Sequence, residues 1–187
     1  MNWLEAASFA LSLACVACNI RQNPLGWVFA IAGAGLYAIV FFEARLYGDA
    51  GLQLFFIGTS VFGLWQWLFG HMPDADAPLR PRRMDRRALA IAGAGWAGGY
   101  AMLAWFLSRH TNSDVPHIDA FLTAGSIVGQ FALARKFIEN WWIWLIVDAL
   151  YIGLYLHKSL YLTAVLYALF VVMCVAGLRQ WKQALAR

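Results

Sequence analysis

The run Trp141-Trp-Ile-Trp-Leu-Ile-Val-Asp-Ala-Leu-Tyr-Ile-Gly-Leu-Tyr-Leu-His157 decides the fold class. It holds one residue charged at neutral pH before its terminal histidine, Asp148, and no proline. A helix crosses the roughly 30 Å hydrocarbon layer with about 20 mostly apolar residues, so this run reads as a membrane span. Working outward, six more apolar runs lie at 3–20, 25–42, 50–70, 88–107, 118–134 and 159–179. They are continuous rather than alternating, which excludes a transmembrane β-barrel. The first lacks a basic leading region and a small-residue cleavage site and reads as a mature helix, not a signal peptide.

The composition agrees. Of 187 residues, 62% are hydrophobic and 13% charged, where a soluble domain carries roughly 25% charged residues. Three cysteines, a net charge of +4 and 16% aromatic residues exclude a disulfide-stapled module, a nucleic-acid binder and a disordered chain. The expected class is an all-α membrane protein with seven transmembrane helices in the lipid bilayer.

The loops orient it. Arg21, Arg80, Arg82, Arg83, Arg86, Arg87, Arg135, Lys136, Arg179, Lys182 and Arg187 fall on one side, against Arg45, Arg109 and Lys158 on the other. Basic residues stay in the cytoplasm, so the N-terminus is expected outside and the C-terminus inside. The Arg-rich loop 71–87 then faces the cytoplasm as a topology signal touching anionic headgroups.

Sliding the chain on itself by 114 positions aligns Trp27 with Trp141, Tyr37 with Tyr151, Leu46-Tyr47 with Leu160-Tyr161 and Phe56 with Phe170. Gly63-Leu64 then meets Gly177-Leu178, Gln66-Trp67 meets Gln180-Trp181, and Arg21 meets Arg135. Spans one to three map onto spans five to seven, with one span between, so the two triplets share an orientation. This predicts a 3+1+3 parallel repeat: a first bundle over 1–70, a loop, linker helix and outer loop over 71–117, and a second bundle over 118–187. Transporters of parallel repeats bind substrate near the midplane. Gly95 and Gly99 in the fourth span form a small-xxx-small pair, fitted either to a triplet or to a neighbouring subunit.

Polar residues recur at helical spacing on three spans. They are Glu5, Ser8, Ser12, Cys15 and Asn19, then Thr123, Ser126 and Gln130, then Asn140, Trp144, Asp148, Tyr151 and Tyr155. For the serines and threonines, interhelical packing is the plainer reading. Asp148 lies deep in a span, where a carboxylate costs about 2.5–3.5 kcal/mol unless paired or solvated. It is either a functional group or a hydrogen-bonded brace. Trp3, Trp67, Trp105 and Trp181 sit where indoles anchor helices at the interface. Trp141, Trp142 and Trp144 are denser than anchoring needs and, with Asn140, offer a box for a flat heteroaromatic.

No Walker-type glycine loop and no HExxH motif is present, which points away from ATP-driven pumping and proteolysis. Cys15 and Cys18 form a lone CxxC without further ligands nearby, so neither a metal nor another cofactor is expected.

Asn23-Pro-Leu-Gly-Trp27, Arg45-Leu-Tyr-Gly-Asp-Ala-Gly-Leu-Gln53, the segment from Gln130 through Arg135-Lys136-Phe-Ile-Glu-Asn-Trp141 to Trp144 and Asp148, and Lys158-Ser-Leu-Tyr-Leu-Thr-Ala-Val-Leu-Tyr167 together resemble the PnuC family of vitamin transporters. The resemblance covers nearly the whole chain in order. It implies a fold similar to the SWEET sugar transporters, a homotrimer in the bacterial inner membrane, and facilitated diffusion of nicotinamide riboside. A cytoplasmic vitamin kinase would trap the substrate by phosphorylation. It also implies Trp27, Gln53, Gln130, Asn140, Trp141 and Trp144 as binding positions, to which the stripes add Asp148 and Tyr151. Members of the family that carry thiamine or are associated with riboflavin share these motifs. Other classes are a membrane enzyme using Asp148 with a neighbouring His or Ser, and a structural membrane protein. Proton coupling through Glu5 or Asp148 is a further variant of the carrier reading.

Overall fold

The computed structural model describes residues 3–43, 47–73, 75–111, 114–157 and 161–186, and their side chains other than those of 3–6, 40–43, 47–52, 75 and 162. Among residues used in the sequence reading, Arg45, Leu46, Lys158, Ser159, Leu160 and Arg187 lie outside the described residues. So do the side chains of Trp3, Glu5, Tyr47 and Asp49.

Seven helices run among the described residues: α1 Trp3–Ile20, α2 Leu25–Glu43, α3 Tyr47–Phe69, α4 Arg86–His110, α5 Pro116–Ala134, α6 Asn140–His157 and α7 Tyr161–Leu185. Each falls on one expected apolar run, and apart from one short strand pair the regular elements among the described residues are helical. Its last helix extends past the expected span through Arg179 and Lys182. Arg86–His110 and Thr163–Leu185 are each long and apolar enough to cross a bilayer among the described residues. A short antiparallel pair, β1 His71–Met72 with β2 Ala75–Pro78, folds the loop between α3 and α4.

Contacts divide the chain into two compact units, Met1–Arg80 with Arg179–Arg187, and Pro81–Leu178. In the first, α2 packs against α1 and α3. Its core is indole-rich: Trp27 meets Trp67 edge-on at 5.6 Å, and Trp67 lies 6.1 Å from Trp181. Trp181 Nε1 donates to the carbonyls of Asn19 at 3.2 Å and Ile20 at 3.1 Å, at the end of α1 where carbonyls have no partner within the helix.

In the second unit α5 packs against both α4 and α6. The fourth helix therefore rests on the second triplet's first helix. Asp85 caps it by accepting from Ala88 N at 2.6 Å. Trp96 Nε1 bonds Phe121 O at 3.0 Å, and a β-carbon on Gly99 would stand 3.2 Å from Ala124 Cβ, so the small pair brings α4 close to α5. The linker before α4 is tied to the α5–α6 elbow: Arg82 N donates to Lys136 O at 3.0 Å, Ile138 N to Arg82 O at 2.9 Å, and Met84 N to Glu139 Oε2 at 3.0 Å. The Arg82 guanidinium sits 4.3 Å above the Phe137 ring.

The 114-residue spacing recurs in the backbone. The α1–α2 elbow holds Arg21 N to Ala17 O, Gln22 N to Asn19 O, Asn23 N to Cys18 O, Gly26 N to Asn23 O and Trp27 N to Pro24 O. The α5–α6 elbow holds Arg135 N to Phe131 O, Lys136 N to Leu133 O, Phe137 N to Ala132 O, Asn140 N to Phe137 O and Trp141 N to Ile138 O. Every donor and acceptor is displaced by the same 114 positions. Gln22 and Lys136, one in each elbow, are the positive-φ residues other than glycine among those described, at 56° and 52°.

Candidate functional site

The α5–α6 elbow sets the position of Asn140. Left-handed backbone at Lys136 reverses the chain, and Asn140 opens α6 with its Nδ2 donating to Phe137 O at 2.6 Å. That bond fixes which end of the amide faces the core. Asn140 is wholly buried, and its Oδ1 has no hydrogen-bond partner among the described residues. A buried acceptor left unmet costs about 1–3 kcal/mol, which makes this carbonyl a place for a donor.

From Asn140, one face of α6 carries Trp141, Trp144, Asp148 and Tyr151 against α5 and α7. Trp141 is buried over Gly177, where a β-carbon would stand 2.5 Å from Cζ2. Trp144 is half-buried across Gly129 of α5, where a β-carbon would lie 3.0 Å from Cε2. The third indole, Trp142, points elsewhere and is 49% exposed. The three thus lie in different environments, with Trp144 the partly open one of the two on this face.

Asp148 is buried, and Cys174 Sγ of α7 donates to its Oδ2 at 3.6 Å. One helical turn on, Tyr151 stacks on Tyr155 with ring centroids 5.4 Å apart and planes 12° apart. Tyr167 of α7 meets both rings at 5.0 Å and continues to Phe170 at 5.4 Å. The polar stripe of α5 faces this cluster, with the Tyr151 phenol beside the Ser126 and Thr123 side chains. Thr123 Oγ1 reaches Asp119 Oδ1 at 3.5 Å, and Ser126 Oγ donates to Leu122 O at 2.8 Å. Gln130 is half-buried one turn after Ser126 on the same helix.

The structure therefore brings Asn140, Trp141, Trp144, Asp148 and Tyr151 onto one face, beside the α5 stripe. Trp27 and Gln53 belong to the first unit. Trp27 is buried against Trp67 over Gly63, and its Nε1 has no hydrogen-bond partner among the described residues. Gln53 is half-buried on α3.

Tyr167 and Cys174 were not singled out from the sequence, although the repeat contains a signal for both. At the 114-residue spacing Tyr167 is the counterpart of Gln53, and Cys174 of the buried Ser60. The elbow also buries Lys136, and that burial pushes its ammonium pKa down from the usual 10.5.

Comparison with known proteins agrees with this architecture. Residues 2–183 match the family described as Nicotinamide mononucleotide transporter. The nicotinamide riboside transporter PnuC of Escherichia coli (strain K12) is 22% identical over 204 residues, covering 97% of this chain and 85% of that protein. The riboflavin/roseoflavin transporter RibM of Streptomyces davaonensis is 27% identical over 198 residues, covering 97% of this chain and 92% of that protein. The crystal structure of the vitamin B3 transporter PnuC superposes with a TM-score of 0.78 at 21% identity, over 99% of this chain and 83% of that one.

Proposed function

Because the chain belongs to the nicotinamide mononucleotide transporter family, we propose that it carries nicotinamide riboside across the bacterial inner membrane by facilitated diffusion. Both the family and the structural neighbour are transporters, and the protein is a transporter rather than an enzyme.

The observation that carries the substrate reading is the unmet Oδ1 of Asn140, wholly buried at the head of an aromatic face. A ribosyl hydroxyl or carboxamide N–H supplies the missing donor. Trp144 and Tyr151 present ring faces to a flat cationic pyridinium, worth about 0.5–2 kcal/mol per contact. Asp148 balances the charge, Trp141 shapes the wall and Gln130 bonds the polar groups, while Gln53 and Trp27 are the binding positions of the first repeat, where Trp27 stands in the place of Trp141. The repeated elbows support a parallel, SWEET-like 3+1+3 arrangement in which two triplets rock in alternation. The N-terminus lies outside and the C-terminus in the cytoplasm, the carrier assembles as a homotrimer, and a cytoplasmic kinase makes uptake one-way.

A second reading is favoured by the 27% identity to a riboflavin/roseoflavin transporter over 92% of that protein. Riboflavin also joins a flat ring to a polyol chain, and the same aromatic face and Asn140 suit it. Thermal unfolding of the purified protein with nicotinamide riboside, riboflavin or thiamine separates the readings. The first predicts the largest stabilisation by nicotinamide riboside, reduced in Asn140→Ala. A larger shift with another vitamin reassigns the substrate, and no shift with any contradicts the site.

A further inference from the structure

We propose that the groove between α4 and α5 holds an acyl chain of an anionic phospholipid, with Arg135 set against its phosphate. The groove encloses about 530 Å3 within the second unit. Ala88, Ala92, Gly95 and Gly99 line it from α4, and Val128 and Phe131 from α5. The helices converge at one end and part toward the other. A β-carbon on Gly99 would press on Ala124 Cβ at 3.2 Å, whereas one on Gly95 would only touch Val128 Cγ2 at 3.9 Å. The groove thus widens from Gly99 toward Ala88.

Its length matches a leaflet. Eleven residue steps from Ala88 to Gly99 rise ~16 Å at about 1.5 Å each. That is about half the roughly 30 Å hydrocarbon layer. The groove starts at the basic end of the helices and stops near mid-membrane, as an acyl chain of the leaflet on that side does. Its outer rim is apolar and open, with Ile91 63% exposed.

The charge at the wide end completes the fit. Arg135 lines the groove, is exposed, and forms no ion pair among the described residues. Arg86 and Arg87 stand exposed in the first turn of α4. Two nearby carboxylates are engaged by backbone amides: Asp85 by Ala88 N, and Glu139 by Met84 N. Arg135 offers its cation at the mouth of the groove, where an anion would find a partner. A lipid phosphate supplies that charge at the headgroup level, where the groove ends. The inference needs the chain in a membrane but not any particular substrate, so its failure leaves the transport reading intact.

Native mass spectrometry of the protein in neutral detergent, titrated with phosphatidylglycerol or phosphatidylcholine of identical acyl chains, tests it. The wild type is expected to retain one phosphatidylglycerol per chain, with about tenfold preference over phosphatidylcholine. Arg135→Gln, an exposed change, abolishes the preference. Ala92→Phe fills the groove and removes retention of both lipids, while Arg109→Gln at the other end of α4 changes nothing. The proposal is overturned by equal retention of the two lipids, by retention unaltered in Arg135→Gln, or by displacement with soluble glycerol phosphate. It is equally overturned if Ala92→Phe alters the oligomeric mass while the lipid count stays the same, since a second copy would then occupy the groove.

Discussion

Gly177 lies so close beneath the Trp141 indole that a β-carbon on it would stand 2.5 Å from Cζ2, and Gly63 stands in the same relation to Trp27. Both partners are displaced by 114 residues, so the repeat preserves a packing relation as well as residue types. In each unit a buried indole occupies the space that glycine leaves open. Gly177→Ala is therefore expected to lower stability by about 1–3 kcal/mol through overpacking. A fall in the thermal midpoint of the detergent-solubilised protein, partly restored by adding Trp141→Phe, checks it. An unchanged midpoint would mean that α7 shifts freely.

Trp181 closes the end of α1 by donating to two carbonyls. Trp181→Phe keeps the ring packing and removes both bonds, at an expected cost of about 0.5–1.5 kcal/mol. Hydrogen exchange should quicken at the C-terminal turn of α1 and stay unaltered in α5, whose elbow is held instead by the Arg82 segment.

At Lys136 burial lowers the pKa, so between that lowered value and 10.5 the unfolded chain binds more protons than the folded one. Stability then rises with pH across this window, and the cost of burying the cation is fully present below it. Lys136→Gln is expected to be more stable than wild type near neutral pH, with the gap closing as pH rises toward 10.5. Thermal midpoints of both proteins at several pH values measure the gap; a constant gap would contradict the burial argument.

Much of this was legible in the chain. Apolar runs of spanning length fixed the seven helices, and the 114-residue identities pointed to a repeat whose elbows recur bond for bond. The stripe through Asn140, Trp144, Asp148 and Tyr151 followed from helical periodicity alone. The partner of α4 did not, because Gly95 and Gly99 announce a close approach without saying to what. The differing surroundings of the three adjacent tryptophans were also hidden. Whether an indole wedges or faces open space depends on what stands opposite, and Gly177 is far from Trp141 in sequence. The strands at 71–78 are too short to show period-2 alternation against the surrounding loop.

In the proposed carrier, Asn140 and the aromatic face of α6 form the substrate site. Uptake of labelled nicotinamide riboside, riboflavin and thiamine into proteoliposomes, without ATP or an ion gradient, tests this most directly. The prediction is saturable entry of nicotinamide riboside, with KM raised about tenfold or more in both Asn140→Ala and Trp144→Ala, the scale of one lost buried contact. No entry of any of the three vitamins, or entry at wild-type affinity in both variants, would contradict it.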